Sequence, residues 1–336
     1  MTGASTEPLL RTELLSRHFK IGNALSRQVL HAVDDVSLSI GERQIVALAG
    51  ESGSGKSTIA RLLAKIYKPT SGEIYFQGTP LSSLRSRQDT LRYSGLVPMV
   101  FQDPFSSLNP VFRVSHGIMR GLKLHRPELS REQRYAEAAR VFDVVGLTPP
   151  AEVLQRFPHE LSGGQRQRVG FAQALALRPK LILADEPVSM LDVSIRIGLL
   201  NLMVRLRDSE GVSILYITHD LASARYVADR LIVMYAGQIA ESGPVEDVLA
   251  NPKHPYTQLL LSEVPDLRAP LGVGAETDSG EPPRVIDPTP GCRFRWRCPL
   301  AIDECHRITP EPRELLPGHS AACHVARADA ETKAFR

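Results

Sequence analysis

Apolar and polar residues alternate through Val36, Leu38 and Ile40, the period-two pattern of a half-buried strand. The stretch from about Leu9 to Ile40 reads as β-strands, two of them separated by a polar insertion around Gly22 to Gln28. Gln44 to Ala49 reads as a short buried strand that feeds a glycine-rich loop. A helix is expected from Lys56 to about Ile66, ended by Lys68-Pro69, because proline cannot continue a helix. Glu73 to Phe76 and Val97 to Phe101 read as further strands. From about Asn109 to Pro179 the pattern turns helical, and Ser130 with Gln133 forms a capping-box signature ahead of a helix ending near Gly146. Strand and helix then alternate: Leu181 to Ala184, Ser194 to Glu210, Val212 to Thr218, Leu221 to Ala228, Leu231 to Tyr235. Such alternation predicts an α/β fold with a largely parallel sheet and crossover helices, the helical stretch being an inserted subdomain.

Composition narrows the class. At 336 residues, 43% hydrophobic and 23% charged, the chain has the make-up of a globular protein with room for one large domain and a smaller one. A net charge of +3 is too small to argue for nucleic acid or an anionic membrane as partner. No apolar stretch approaches the roughly 18–20 residues that span a bilayer. The N-terminus, with Glu7 and Pro8, lacks the apolar segment of a signal peptide. The expectation is a cytosolic chain whose membrane role, if any, comes through partners. Pro265 to Pro290 has linker composition, and a compact Arg- and Cys-rich tail comes after it. All four cysteines, Cys292, Cys298, Cys305 and Cys323, lie there. In a reducing compartment that clustering favours a metal site over disulfides. No internal repeat is evident, so a single module is expected.

Several segments carry chemistry. Gly50-Glu51-Ser52-Gly53-Ser54-Gly55-Lys56-Ser57-Thr58 satisfies G-x-x-x-x-G-K-[ST]: glycines let backbone N–H groups turn toward phosphate oxygens, Lys56 reaches the β and γ phosphates, and Ser57 is placed to ligate Mg²⁺. Asp185 ends an apolar strand, the Mg²⁺-holding position of phosphate-loop enzymes, and Glu186 beside it is the candidate to polarise attacking water. In Leu161-Ser162-Gly163-Gly164-Gln165, Ser162 and Gln165 form a capping box. Gly163 and Gly164 leave N–H groups open at a helix N-terminus suited to a γ-phosphate. That motif cannot serve the phosphate loop of its own chain, so a second subunit is implied, each ATP lying between one chain's Lys56 and the other's Ser162. Gln102 follows an apolar run and is placed to touch Mg²⁺ or the water. His219 follows another and is placed to contact the γ-phosphate.

The whole set resembles the ATP-binding cassette ATPases over roughly Leu9 to Val264. The resemblance implies a phosphate-loop core, an antiparallel β subdomain, an α-helical insert at about 109–179 within residues 1–264, a linker at 265–290, and a small cysteine-containing extension at 291–336. It makes Ser189-Met190-Leu191-Asp192 the D-loop, with Met190 in place of the usual alanine. It also requires an aromatic residue on adenine, for which Phe19 is the candidate and His31 the second choice. A narrower resemblance, to oligopeptide and dipeptide importer ATPases, is carried by three stretches. They are Phe101-Gln102-Asp103-Pro104-Phe105-Ser106-Ser107-Leu108-Asn109-Pro110, Asp185-Glu186-Pro187-Val188-Ser189, and His254-Pro255-Tyr256-Thr257-Gln258-Leu259-Leu260 with Val264-Pro265. It implies ATP and Mg²⁺ as ligands, a second cassette subunit (sibling or self) in a head-to-tail dimer, two integral-membrane permeases, and an extracytoplasmic substrate-binding protein. The chain would sit peripherally at the cytoplasmic face of the membrane. Peptide is the expected cargo; nickel, glutathione, oligosaccharides and opines are alternatives within the same subfamily, and a soluble non-transport cassette is the rival class. Gaps of five, six and seventeen residues between the cysteines are wider than the usual zinc pairs. A [4Fe-4S] cluster offset by Arg293, Arg295 and Arg297, a zinc ion, and free thiols are the three readings of the tail.

Overall fold

A computed structural model of the chain describes residues 7–22, 28–103, 108–263 and 284–328. Pro104 to Ser107, Val264-Pro265 and most of the 265–290 linker lie outside the described residues. The N-terminal strands β1 (Leu10–Ile21), β2 (Gln28–Val36) and β3 (Ser39–Ile40) join β5 (Ser71–Phe76) and β6 (Thr79–Pro80) in an antiparallel sheet, ordered β2-β1-β5-β6 with β3 also on β1.

The larger sheet carries β4 (Ile45–Ala49), β7 (Met99–Val100), β8 (Leu181–Asp185), β9 (Ser213–Thr218), β10 (Arg230–Tyr235), β11 (Gln238–Pro244), β12 (Arg313–Leu316) and β13 (His319–Ala321). Their order is β12-β13-β11-β10-β4-β9-β8-β7. From β10 to β7 every pairing is parallel; β11, β13 and β12 complete it antiparallel. Parallel strands need covering on both faces. Val46, Leu48, Leu183, Leu215 and Ile217 pack toward the helix Lys56–Leu63 and the antiparallel sheet. Ile45, Ala47, Ala49, Ile182, Ala184 and Ile214 pack on the opposite side with the helical insert. The alternation along each strand explains why their sequences read as unbroken apolar runs.

The insert contains the helices Val114–His125, Arg131–Val144 and Gly163–Ala176. Ser130 caps the second: its Oγ accepts from Gln133 N (3.2 Å), and Gln133 Oε1 accepts from Ser130 N (2.8 Å). Three expectations need correction. The phosphate-loop helix stops at Leu63, short of Ile66, because Lys65 turns to φ 57°. The expected strand from Val97 to Phe101 contracts to Met99–Val100, which among the described residues is an edge strand paired with Leu183 and Ala184. A helix at Arg87–Leu96 joins the expected elements; its weak apolar periodicity hides it in the sequence, although Ser86 caps it through Asp89 N (3.0 Å).

The C-terminal segment is built into the core rather than appended to it. Glu241 and Ser242 of β11 pair with Ala321 and Ser320 of β13, and Ile286 bridges to Leu30 of β2. The joint is held by Glu241, which is fully buried and accepts from Lys253 N (2.7 Å), His254 N (2.8 Å) and His319 Nε2 (2.7 Å). One carboxylate thus satisfies three donors from two segments and ties both to β11. Replacing Glu241 with Ala orphans those donors, and we expect a loss of about 3 kcal/mol or more in chemical denaturation of the purified chain. Glu241→Gln, which keeps two acceptor lone pairs, should cost clearly less; equal costs would refute the role given to these hydrogen bonds.

Candidate active site

Strand β4 is buried along its whole length and leads directly into Gly50. Two glycines let the chain turn from this strand into the phosphate loop. Gly50 adopts φ +147°, and a Cβ there would lie 2.2 Å from Met234 O; Gly55 adopts φ +103°, with a Cβ 2.3 Å from Ala32 O. Backbone crowding on both sides therefore excludes any side chain. The loop wraps Lys56, which is 4% exposed and whose Nζ donates to Gly50 O and Glu51 O, both at 2.7 Å. Burial lowers the Lys56 pKa, while Glu186, Asp185 and Glu51 oppose that shift.

Next to it, Ser57 Oγ donates to Asp185 Oδ1 at 2.9 Å. Burial first, and the neighbouring Glu186 charge, push the Asp185 carboxyl upward. A hydroxyl oxygen and a destabilised, buried carboxylate are hard donors of the kind Mg²⁺ selects, and a dication would relieve the carboxylate. Glu186 stands at φ 45°, a left-handed backbone costing on the order of 1 kcal/mol in a residue other than glycine. Its N–H donates to Ile217 O at 3.1 Å. Its Oε2 accepts from Gln102 Nε2 at 3.1 Å and lies 3.4 Å from His219 Nδ1. Ser189 Oγ is also within 3.4 Å of Gln102 Nε2.

These groups share one cleft of about 1300 Å³, in which Gly50, Glu51, Lys56, Gln102, Glu186 and His219 are among the lining residues. Ser52, Gly53, Ser57 and Thr58 of the phosphate loop line it as well, while Ser54 is fully buried beneath. Phe19 and His31 both line its far end. Phe19 meets Tyr67 edge-on at 5.5 Å, and the His31 ring stacks on His18 at 3.8 Å.

Asp185, buried behind Ser57, does not itself line this cleft, and two further sets of expected residues do not line it among the described residues. Ser162 to Gln165 cap the helix Gly163–Ala176, with Gln165 N donating to Ser162 Oγ (3.2 Å) and Ser162 N to Gln165 Oε1 (3.0 Å). A Cβ on Gly164 would meet Ile195 Cγ2 at 2.4 Å, so this glycine also allows close helix packing. Asp192 stands at the start of the helix Val193–Glu210, with exposed Met190, Val193 and Ile197 around it.

Four residues gain a place that their sequence positions do not reveal. Arg297 reaches the phosphate loop from the tail, donating to both carboxylate oxygens of Glu51 (3.0 and 3.1 Å). Tyr256 Oη accepts from Glu51 N at 2.9 Å. Val285 and Ile286 line the far end of the cleft, where Val285 O accepts from His31 N at 2.9 Å. Only the motif containing Tyr256 carries a local signal; the other contacts have none.

The four cysteines are free and close enough to influence one another. Burial, and then the other thiols, push Cys292 up to about 11 and Cys298 up to about 12, and Cys323 upward as well. Among the described residues the only trio of candidate ligands with all donor atoms within 4.8 Å is His18, His31 and Asp34. No three sulfurs come that close, whereas Zn–S bonds of about 2.3 Å would bring them closer than 4 Å.

Comparison with known proteins agrees with the geometry. Residues 33–189 match the family ABC transporter, and residues 240–305 match the family Oligopeptide/dipeptide transporter, C-terminal region. The chain is 42% identical over 330 residues to an oligopeptide transport ATP-binding protein of Bacillus subtilis, covering 97% of this chain and 99% of that one. Among solved structures it is similar to a dimeric ATP-binding cassette in a post-hydrolysis state bound to ADP and Pi (28% identity, TM-score 0.62, 70% of this chain and 98% of the other). It is also similar to a cassette of Clostridium perfringens that is part of an ABC transporter complex (26% identity, TM-score 0.62, 72% and 91% covered).

The Glu186–His219 contact makes a pH prediction. Hydrogen bonding to Glu186 raises the His219 pKa above 6.5, and the same bond lowers Glu186 below 4.5. The histidine's share of the stabilisation is complete below 6.5 and lost as pH rises through its folded value. The glutamate's share is present above 4.5 and lost as pH falls through its own folded value. In an NMR titration His219 should titrate above 6.5 in the wild type and move down toward 6.5 in Glu186→Gln. An unmoved midpoint would dissolve the pair.

Proposed function

The chain belongs to the ABC transporter ATP-binding subunits, in the branch of oligopeptide and dipeptide importers, and from that premise we propose that it hydrolyses ATP to drive peptide uptake through partner permeases. The observation that carries this reading is the convergence of Lys56, Ser57–Asp185 and Gln102–Glu186–His219 on one cleft.

Loop N–H groups and the N-terminus of the helix Lys56–Leu63 would hold the triphosphate, with Lys56 exchanging its carbonyl partners for β and γ oxygens. Phe19 would stack on adenine. Ser57, Asp185 and the amide oxygen of Gln102 would hold Mg²⁺, which supplies charge neutralisation on the phosphates. Glu186 would orient water toward the γ-phosphorus and accept its proton, and His219 would hold both the carboxylate and the γ-phosphate in place. The bond broken is that between the γ-phosphorus and the β,γ-bridging oxygen, giving ADP and phosphate.

The site needs a second cassette, of the same or a sibling chain, in head-to-tail arrangement. Support comes from the signature segment Ser162–Gln165 lying away from its own cleft and from the exposed Met190, Val193 and Ile197 beside Asp192. Two permeases would dock on the pair of cassettes, one in each cassette's groove of about 480 Å³ lined by Pro98, Phe101, Ile118, Gln167 and Leu177. Gln167 Nε2 donates to Phe101 O at 3.2 Å there, linking that groove to the segment that bears Gln102. An extracytoplasmic binding protein would deliver peptide to those permeases. No helix among the described residues is long and apolar enough to cross a membrane, and attachment at the cytoplasmic face would be peripheral, through the permeases.

We further assign Cys292, Cys298, Cys305 and Cys323 as ligands of an iron–sulfur cluster, which would supply a structural or redox centre. Binding would require the buried thiols to lose their protons; of the three arginines expected to offset the charge, Arg295 donates to Cys292 O at 2.9 Å, whereas Arg293 is paired with Asp34 and Arg297 with Glu51.

Labelled di- and oligopeptide uptake, with nickel in parallel, should be measured in cells lacking this chain and complemented with wild type or Glu186→Gln. Peptide uptake should return with wild type alone. In the purified complex Glu186→Gln should bind ATP while hydrolysis falls by about 100-fold or more; normal turnover removes Glu186 from its role, and restoration of nickel alone moves the cargo. Anaerobically purified protein should contain iron and inorganic sulfide, both lost in Cys298→Ser. Iron-free wild type, or unchanged iron in the variant, rejects the cluster.

A further inference from the structure

Glu51 is an anomaly in a loop that must receive a polyphosphate. Backbone N–H groups attract the ligand, while a carboxylate at the second position repels it. The fold deals with Glu51 from two directions. Its N–H donates to Tyr256 Oη, and both its carboxylate oxygens accept from Arg297, 246 residues away in sequence. Both side chains of the ion pair are largely shielded, at 15% and 17% exposure, and the bidentate geometry is the strong form of this contact.

Arg297 is itself firmly placed. It immediately precedes Cys298, and its N–H donates to Phe294 O at 3.0 Å. Its guanidinium lies 5.7 Å from the centre of the Tyr235 ring and 5.8 Å from that of Phe294, and 3.4 Å from Tyr235 Oη. Phe294, 1% exposed, packs against Tyr235 at 5.2 Å and Tyr256 at 5.5 Å. The cysteine loop, the helix Pro255–Ser262 and the phosphate loop therefore meet at one aromatic cluster with Glu51 at its edge.

We propose that Arg297 is a positioning residue for ATP: it neutralises and fixes Glu51, so that the cysteine-bearing extension sets the nucleotide affinity of the phosphate loop. The proposal rests on that loop being the ATP site. It holds whether or not the cysteines carry a metal, because the contact belongs to the arginine.

The test is titration of the full-length chain with fluorescent ATP and ADP analogues, thermal melts confirming the fold. Arg297→Ala leaves Glu51 uncompensated and should weaken ATP about tenfold, or about 1.4 kcal/mol, with a smaller loss for ADP because it carries less charge. Glu51→Gln added to Arg297→Ala should bring ATP affinity back to within about twofold of wild type, since the repelling charge is gone. A purely structural tie predicts the opposite, the double variant binding as weakly as the single. That result, or an Arg297→Ala chain with unchanged affinity, overturns the proposal. If Arg297→Ala does not fold, Arg297→Gln with Glu51→Gln makes a neutral hydrogen-bonding pair. It should bind ATP within about twofold of wild type, and a tenfold loss there overturns the proposal as well. Lys56→Ala, run alongside, tests the ATP site itself: retained binding in that variant would sink the site rather than the role of Arg297.

Discussion

Parallel pairing of β8, β9 and β4, buried on both faces, is the constraint on which the site depends. Parallel strands end on the same side of a sheet, and in an open α/β sheet ligands bind beyond those carboxyl ends. β4 runs out into Gly50, β8 ends at Asp185 and β9 ends at Thr218, one residue before His219. The register, Ala49 opposite Thr218 and Asp185 opposite Ile217, brings three loops from distant parts of the chain to one edge. Apolar burial on the two faces enforces that register, because a slip by one residue would exchange the faces.

At that edge the electrostatics are arranged around charges that do not match in isolation. A buried lysine, a buried aspartate and a glutamate with strained backbone lie together, and each shift traces to a named neighbour or to burial. Lys56 satisfies its ammonium with carbonyls of its own loop. Such a site is held ready for a polyanion and a dication, which would satisfy Lys56 and Asp185 together. Glu186 is instead tied to Gln102 and His219, which suits it to orienting water.

The C-terminal extension changes how the cassette should be viewed. Strands β12 and β13 extend the central sheet, Glu241 joins them to the segment before the helix Pro255–Ser262, and Arg297 touches the phosphate loop. The nucleotide site is thus bounded by the first third of the chain on one side and the last sixth on the other. Any perturbation of the cysteine loop has a route of two contacts to Glu51.

Much of the site was legible in the sequence because its chemistry is local. The phosphate loop, the Asp185-Glu186 pair after an apolar strand and the Ser162–Gln165 capping box each depend on residues a few positions apart, whose backbone geometry is dictated by glycine freedom and helix-end hydrogen bonding. The α/β alternation was legible for the same reason. The Arg87–Leu96 helix, with little apolar periodicity, was not, and neither was the shortening of the strand around Met99, whose length depends on a neighbour far along the chain. The sequence alone determined which groups are suited to phosphate and which cap helices, since those properties reside in short segments. Only the tertiary structure decided that Arg297 would neutralise Glu51 and that Glu241 would hold three segments. Contacts across hundreds of residues are set by how sheets and helices pack, and no local pattern encodes them.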